Sequence, residues 1–277
     1  MKRLFLSAIC IASLFFTEAQ QLKTPQPSTT QTIKQEFGLG TIELSYSRPN
    51  MKGRKIFGDL VPFGKVWRTG ANSATTLTFS DEVTIGGTKV PAGKYGLLTI
   101  PGESEWTVII TKQTDVTSPA AYKQDQDLVR VMVRPFVFPM TVETFTMQFV
   151  NITDNACEIR LMWDKTAVVI PVLTDVDSKV MKQIESTMNT DSRPYFNAAV
   201  YYLENGKDLN QAVAWFNKAI EQNPKAFWVY YQKARALAKQ GKKIEAMAAS
   251  MKSVELAKEA KNDDYVALNE KLQKDLK

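Results

Sequence analysis

Basic, aromatic and turn-forming side chains crowd together between Tyr46 and Asn72. Arg48, Lys52, Arg54 and Lys55 bring four positive charges before the first acid, Asp59, and Arg68 directly follows Trp67. A guanidinium beside an aromatic ring suits a carboxylate, a sulfate or a sugar acid. Its fork donates paired hydrogen bonds while the ring offers a stacking floor. Arg48, Lys52, Arg54, Trp67, Arg68 and Asn72 are therefore the candidate ligand-binding residues. A structural reading competes and weighs more: Arg48 and Arg68 pair with strand carboxylates while Trp67 and Phe63 plug one end of a β fold, because buried arginines are usually paired.

Other chemistries fail on spacing or composition. Gly58 to Gly64-Lys65 has five residues between its glycines where a phosphate-binding P-loop has four, and Val66 stands where a magnesium-binding hydroxyl is needed. Gly87 to Gly93-Lys94-Tyr95 fails in the same way. Glu103/Glu105 and Asp125/Asp127 are paired carboxylates. Side chains two apart in a turn face solvent rather than each other across a cleft. The chain has no histidine, and Cys157 is the one cysteine beyond the N-terminal segment. Ser-His-Asp and Cys-His machinery is thereby excluded, along with zinc sites built on His and Cys. No metal or cofactor site is expected. Cys157, at the start of an apolar alternation, reads as a packed thiol.

Placing these residues requires the elements around them. Met1-Lys-Arg followed by the apolar run Leu4–Phe16 and Thr17-Glu-Ala19 reads as a signal peptide over residues 1–19. The run is too short to span a bilayer, and no transmembrane segment is expected elsewhere. An exported protein, periplasmic or extracellular, follows. Residues 20–30, rich in Gln, Thr and Pro, form a flexible leader. Period-2 alternation marks residues 31–174, with Ile42, Leu44 and Tyr46 on one face and later runs through Leu77/Phe79, Trp106/Val108/Ile110, Phe145/Met147/Phe149 and Ile159/Leu161/Trp163. Gly86-Gly87 predicts a two-residue hairpin, Pro91-Ala-Gly93 a second turn, and Pro101-Gly102 a type II turn. About nine short strands without helix between them predict an all-β antiparallel sandwich or flattened barrel.

From Val176 the period becomes helical, and residues 176–277 read as an all-α helical-repeat domain. Asp191-Ser-Arg-Pro194 can start a helix. Ala212, Phe216, Ala219 and Pro224 then fall at the spacings of a tetratricopeptide repeat. A second unit begins near Trp228 but has Ser250, Ser253 and Lys258 where the aromatic, alanine and proline belong. Two repeats expose too much apolar face, so helices at 176–189 and 263–276 must cover the ends, or the bundle docks on the sandwich. Residues 20–175 hold 16 basic and 15 acidic side chains, and residues 176–277 hold 17 and 13. So mild and interspersed an excess excludes nucleic acid as a partner.

Tyr46-Ser-Arg-Pro, Lys52-Gly-Arg, Ile56-Phe-Gly and Leu60-Val-Pro-Phe-Gly-Lys-Val-Trp-Arg-Thr-Gly-Ala-Asn72 together resemble the hallmark of an uncharacterised bacterial family, domain of unknown function 2911. The likeness continues through Val90-Pro-Ala-Gly-Lys-Tyr95, Thr99-Ile-Pro-Gly102 and Glu105-Trp-Thr-Val108, and spans about residues 31–174. It implies membership of that family, commonly with a signal peptide and sometimes with tetratricopeptide-like repeats. It implies no activity and no catalytic residue. The sequence thus favours a non-catalytic binding module whose helical repeat meets a protein partner. The alternative is a binder of, or enzyme acting on, an anionic small molecule or glycan at the Arg48/Trp67/Arg68 loop. A third reading has the helices merely buttress the sandwich. Oligomeric state stays open.

Overall fold

The computed structural model describes residues 24–188 and 193–277. The expected signal peptide, the first part of the leader and the Asp191-Ser192 half of the helix-start signal lie outside the described residues. The chain forms two compact units that meet in sequence between Thr174 and Asp175.

The first unit is built of ten strands: β1 (Thr29–Phe37), β2 (Gly40–Arg48), β3 (Thr75–Phe79), β4 (Val83–Ile85), β5 (Thr88–Val90), β6 (Gly93–Ile100), β7 (Trp106–Thr111), β8 (Asp127–Val133), β9 (Phe136–Val150) and β10 (Ala156–Leu173). They make a six-stranded sheet in the order β1-β2-β3-β6-β7-β8 and a four-stranded sheet in the order β5-β4-β10-β9. All pairings are antiparallel. Leu44, Leu77, Leu97 and Val108 of the larger sheet share one buried cluster with Phe145, Leu161, Trp163 and Ile170 of the smaller. The unit is therefore a sandwich of two open sheets and not a closed barrel. Burial alternates strictly along β3, as its period-2 pattern predicts.

Of the three expected turns, one forms as read and two differ. Gly86-Gly87 closes the β4–β5 hairpin with Ile85 opposite Thr88. The Pro91-Ala-Gly93 turn instead carries the chain from one sheet to the other, because β5 and β6 lie in different sheets. Gly102 has no left-handed backbone, so Pro101-Gly102 is not a type II turn. Glycine is needed there because a Cβ would sit 2.4 Å from the Glu105 carbonyl oxygen. The two apolar runs at 159–163 and 167–172 belong to one long strand, β10, with Asp164 (φ 52°) at an irregularity in its pairing with β9.

The second unit contains α1 (Val176–Thr187), α2 (Tyr195–Glu204), α3 (Leu209–Gln222), α4 (Phe227–Lys239), α5 (Lys243–Glu259) and α6 (Asp263–Leu276). The Asp175 carboxylate caps α1 by accepting from the Ser178 N–H at 3.0 Å. Ala199, Ala212, Phe216 and Ala219 pack at the centre of the first helix pair, small residues letting the backbones approach around one buried ring. Asp177 of α1 accepts from Tyr201 Oη at 2.8 Å and Lys207 Nζ at 2.7 Å, tying that helix to α2 and the loop after it. At the other end α6 packs on both α4 and α5.

Candidate anion-binding site

The stretch between β2 and β3 is held in place by β6. Where β3 stops pairing with β6, Trp67 takes over: its N–H donates to the Thr99 carbonyl at 2.7 Å, and the Thr99 N–H donates back at 2.9 Å. The Trp67 ring sits in an aromatic cluster, stacked on Trp163 at 5.9 Å and 15° and edge-on to Phe145 at 5.1 Å. Its indole N–H donates to the Gly70 carbonyl at 3.1 Å. Gly70 could hold no larger residue, since a Cβ would lie 2.8 Å from the Ser47 carbonyl oxygen of β2.

Left-handed backbone concentrates in this stretch. Lys52, Thr69 and Asn72 are three of six such non-glycine residues among the described residues. Thr69 is the costliest, being β-branched and fully buried. Its hydroxyl lies 3.0 Å from the Thr99 hydroxyl, and its carbonyl accepts from Thr75 Oγ1 at 2.5 Å. Strain of this kind, of order 1–3 kcal/mol per residue, persists only where surrounding contacts over-determine it. Here those contacts fix the direction in which Trp67 and Arg68 leave the backbone.

The stretch encloses a cavity of about 600 Å³, within the range of small-molecule sites. Lys52, Arg54, Lys65 and Arg68 line it, together with Trp67 and Trp163 and a largely apolar remainder. None of the four cations forms an ion pair with a described carboxylate. Arg54 donates to the carbonyls of Met51 at 2.8 Å and Asn50 at 2.6 Å through Nε and Nη2, leaving Nη1. Arg68 donates one Nη1 hydrogen bond to the Thr117 carbonyl. Its Nε and Nη2 have no acceptor among the described residues. Among the described residues the lining includes no Asp, Glu, Cys or Tyr.

Of the six candidate residues, Lys52, Arg54, Trp67 and Arg68 come together at this cavity, while Arg48 and Asn72 do not line it. The expected carboxylate pairing of Arg48 and Arg68 is absent among the described residues, and this corrects the structural reading. Arg48 ends β2 on the inward face and spans the sandwich instead. Its Nε donates to the Phe145 carbonyl at 3.2 Å and its Nη2 to Thr146 Oγ1 at 3.0 Å, both on β9. Asn72 holds one wall of the cavity, its amide donating to the Ser28 carbonyl at 3.1 Å and Ser47 Oγ at 3.2 Å. Trp67 plugs the sandwich as expected, but Phe63 is 37 % exposed and does not. Lys65 and Trp163 were missed. Lys65 was hidden in a failed phosphate motif, and Trp163 lies about a hundred residues downstream with no local signal.

One other feature reads differently in three dimensions. Asp127 does not face solvent. Its Oδ2 accepts from Tyr122 Oη at 2.5 Å and Arg130 Nη1 at 2.8 Å, and its side chain is 6 % exposed. Burial, reinforced by the Asp127 carboxylate, pushes the Tyr122 hydroxyl up to about 12. Cys157 agrees with the sequence reading: burial pushes its thiol up to about 12, so it stays protonated at neutral pH and serves as packing. No cluster of metal-ligating side chains occurs among the described residues, and no described helix is long and apolar enough to cross a membrane.

A model of the family described as "Protein of unknown function (DUF2911)" matches residues 28–172. Tetratricopeptide-repeat models match residues 192–225 and 215–248. No curated protein and no solved structure matches the chain. The family match covers all of the sandwich's strands but the last residue of β10, and takes in every described residue lining the cavity except Pro27. With its strands, its Tyr46–Asn72 hallmark and more than half its length accounted for in this way, the chain belongs to the DUF2911 family.

Proposed function

We propose that the chain is an exported binding protein whose β unit holds an anionic small molecule or glycan, while its helical unit engages a protein segment. One observation carries the first half: four cations line one cavity and none has a carboxylate partner among the described residues. Like charges gathered without counter-ions repel one another, and an incoming anion relieves that repulsion. Hydrogen bonds from charged donors contribute about 1.5–3 kcal/mol each, enough for two or three contacts to give useful affinity. Binding, in preference to catalysis, fits the lining, whose described residues offer neither a carboxylate pair nor an imidazole to move protons.

The second half rests on the repeat matches, since the stacked helices of such repeats typically hold peptide segments. Isothermal titration of the intact chain with sulfate, phosphate, galacturonate and an aromatic carboxylate tests the first half. A saturable heat that weakens on raising NaCl to about 0.5 M supports it. No heat with any probe overturns it. Pull-down with residues 175–277 against the exported proteome tests the second, which falls if that fragment folds and retains no partner.

A further inference from the structure

The charged side chains of the lining are all donors. Lys52, Arg54, Lys65 and Arg68 can only donate. Three acceptors nearby are already engaged. Asn50 Oδ1 accepts from Thr144 Oγ1 at 2.7 Å, its carbonyl accepts from Arg54, and the Gly70 carbonyl accepts from the Trp67 indole N–H. A sugar brings several hydroxyl protons, each needing an acceptor once water is excluded, and a buried donor left unpaired opposes binding. The remainder of the wall is apolar. Pro27, Pro49, Pro62 and Pro119 supply apolar rings without an N–H, and Leu60 and Val66 extend the same surface. Trp67, its indole N–H spent, has only its ring to offer a ligand.

Resting on the anion-binding reading, we infer that the occupant is an amphipathic organic anion: one carboxylate, sulfonate or phosphate group on a planar or aliphatic apolar body, with few or no hydroxyls. The acidic group meets Arg68 and its neighbouring cations, and the body lies against the prolines and the Trp67 ring. The chemistry of the lining thus weighs against the glycan branch of the functional reading.

The test is calorimetric titration of the full chain with four probes: 2-naphthoate, 2-naphthylmethanol, sodium sulfate and digalacturonate. Arg68→Gln and Lys52→Gln serve as variants, with circular dichroism confirming that each is folded. The expected order places 2-naphthoate tightest, with sulfate, digalacturonate and the neutral alcohol each at least about tenfold weaker. Arg68→Gln should weaken 2-naphthoate by about tenfold and leave the alcohol unchanged. If digalacturonate or sulfate binds as tightly as 2-naphthoate and loses affinity in Arg68→Gln, the inference falls while anion binding stands. If 2-naphthoate binds but ignores both variants, it occupies some other apolar surface and the inference falls. If no probe binds, both fall.

Discussion

Arg48 and Arg68 have the same chemistry and opposite situations. The guanidinium of Arg48 spends its Nε and Nη2 on an edge strand of the opposite sheet, beside Tyr46, whose hydroxyl accepts from the Met147 N–H at 2.8 Å. Arg68 keeps most of its donors for the cavity. Arg48→Met should therefore lower unfolding free energy by about 1–3 kcal/mol, because buried acceptors on β9 lose their partner. Its affinity for an anionic probe should be unchanged. Arg68→Gln should do the converse: lost affinity with a denaturation midpoint close to that of the parent. Swapped outcomes would mean the two roles are assigned the wrong way round. The Tyr122–Asp127–Arg130 cluster has its own signature. A proton held more tightly in the folded state than in the unfolded makes stability fall as pH rises between the two values, here from about 10 to about 12. Spectrophotometric titration at 295 nm should show late-ionising tyrosine, reduced by one residue in Tyr122→Phe. If that late class is the same size in the variant, the cluster is not holding the proton.

Among the elements, the second helical pair shows why a repeat pattern decays. Ser250 and Ser253 replace expected repeat residues, and both meet the α6 residue Asn269 in a buried network. Ser250 Oγ lies 2.8 Å from Asn269 Oδ1, Asn269 Nδ2 donates to Ser253 Oγ at 2.9 Å, and Ser253 Oγ donates to the Phe227 carbonyl at 2.8 Å. Gln273 completes it by donating to Ser250 Oγ at 3.0 Å. With every group satisfied, such a network fixes one register between α5 and a terminal helix. Asn269→Leu strands these partners and should destabilise the helical unit by about 1–3 kcal/mol in thermal or denaturant unfolding. A neutral effect would show that α6 is held by apolar packing alone. The departures from consensus were legible in the sequence, but their reason was not, because the partner lies 16 to 19 residues away on another helix. Strand alternation was equally legible, since period-2 burial is a local property. The transfer between sheets at Pro91 and the continuity of β10 were not, because sheet membership depends on distant partners. The cavity was half legible: Lys52, Arg54, Trp67 and Arg68 sit in one dense stretch, whereas Trp163 arrives only through the fold.

At the scale of the whole molecule, the buried cluster of the sandwich draws all its side chains from Phe37 to Val172. Among the described residues, none of its members belongs to the helical unit. A chain ending at Thr174 should unfold cooperatively in denaturant and keep its anion affinity, whereas a buttressing role for the helical unit predicts a lower midpoint. A fragment that fails to fold would favour buttressing. The stacked indoles of Trp67 and Trp163 have one more consequence. Five tryptophans occur in the chain, and these two touch each other and the cavity. Their emission and exciton coupling should respond to whatever enters, so the protein carries its own optical reporter. Unlabelled extracts can then be fractionated by following quenching, and the natural occupant found without guessing its identity first.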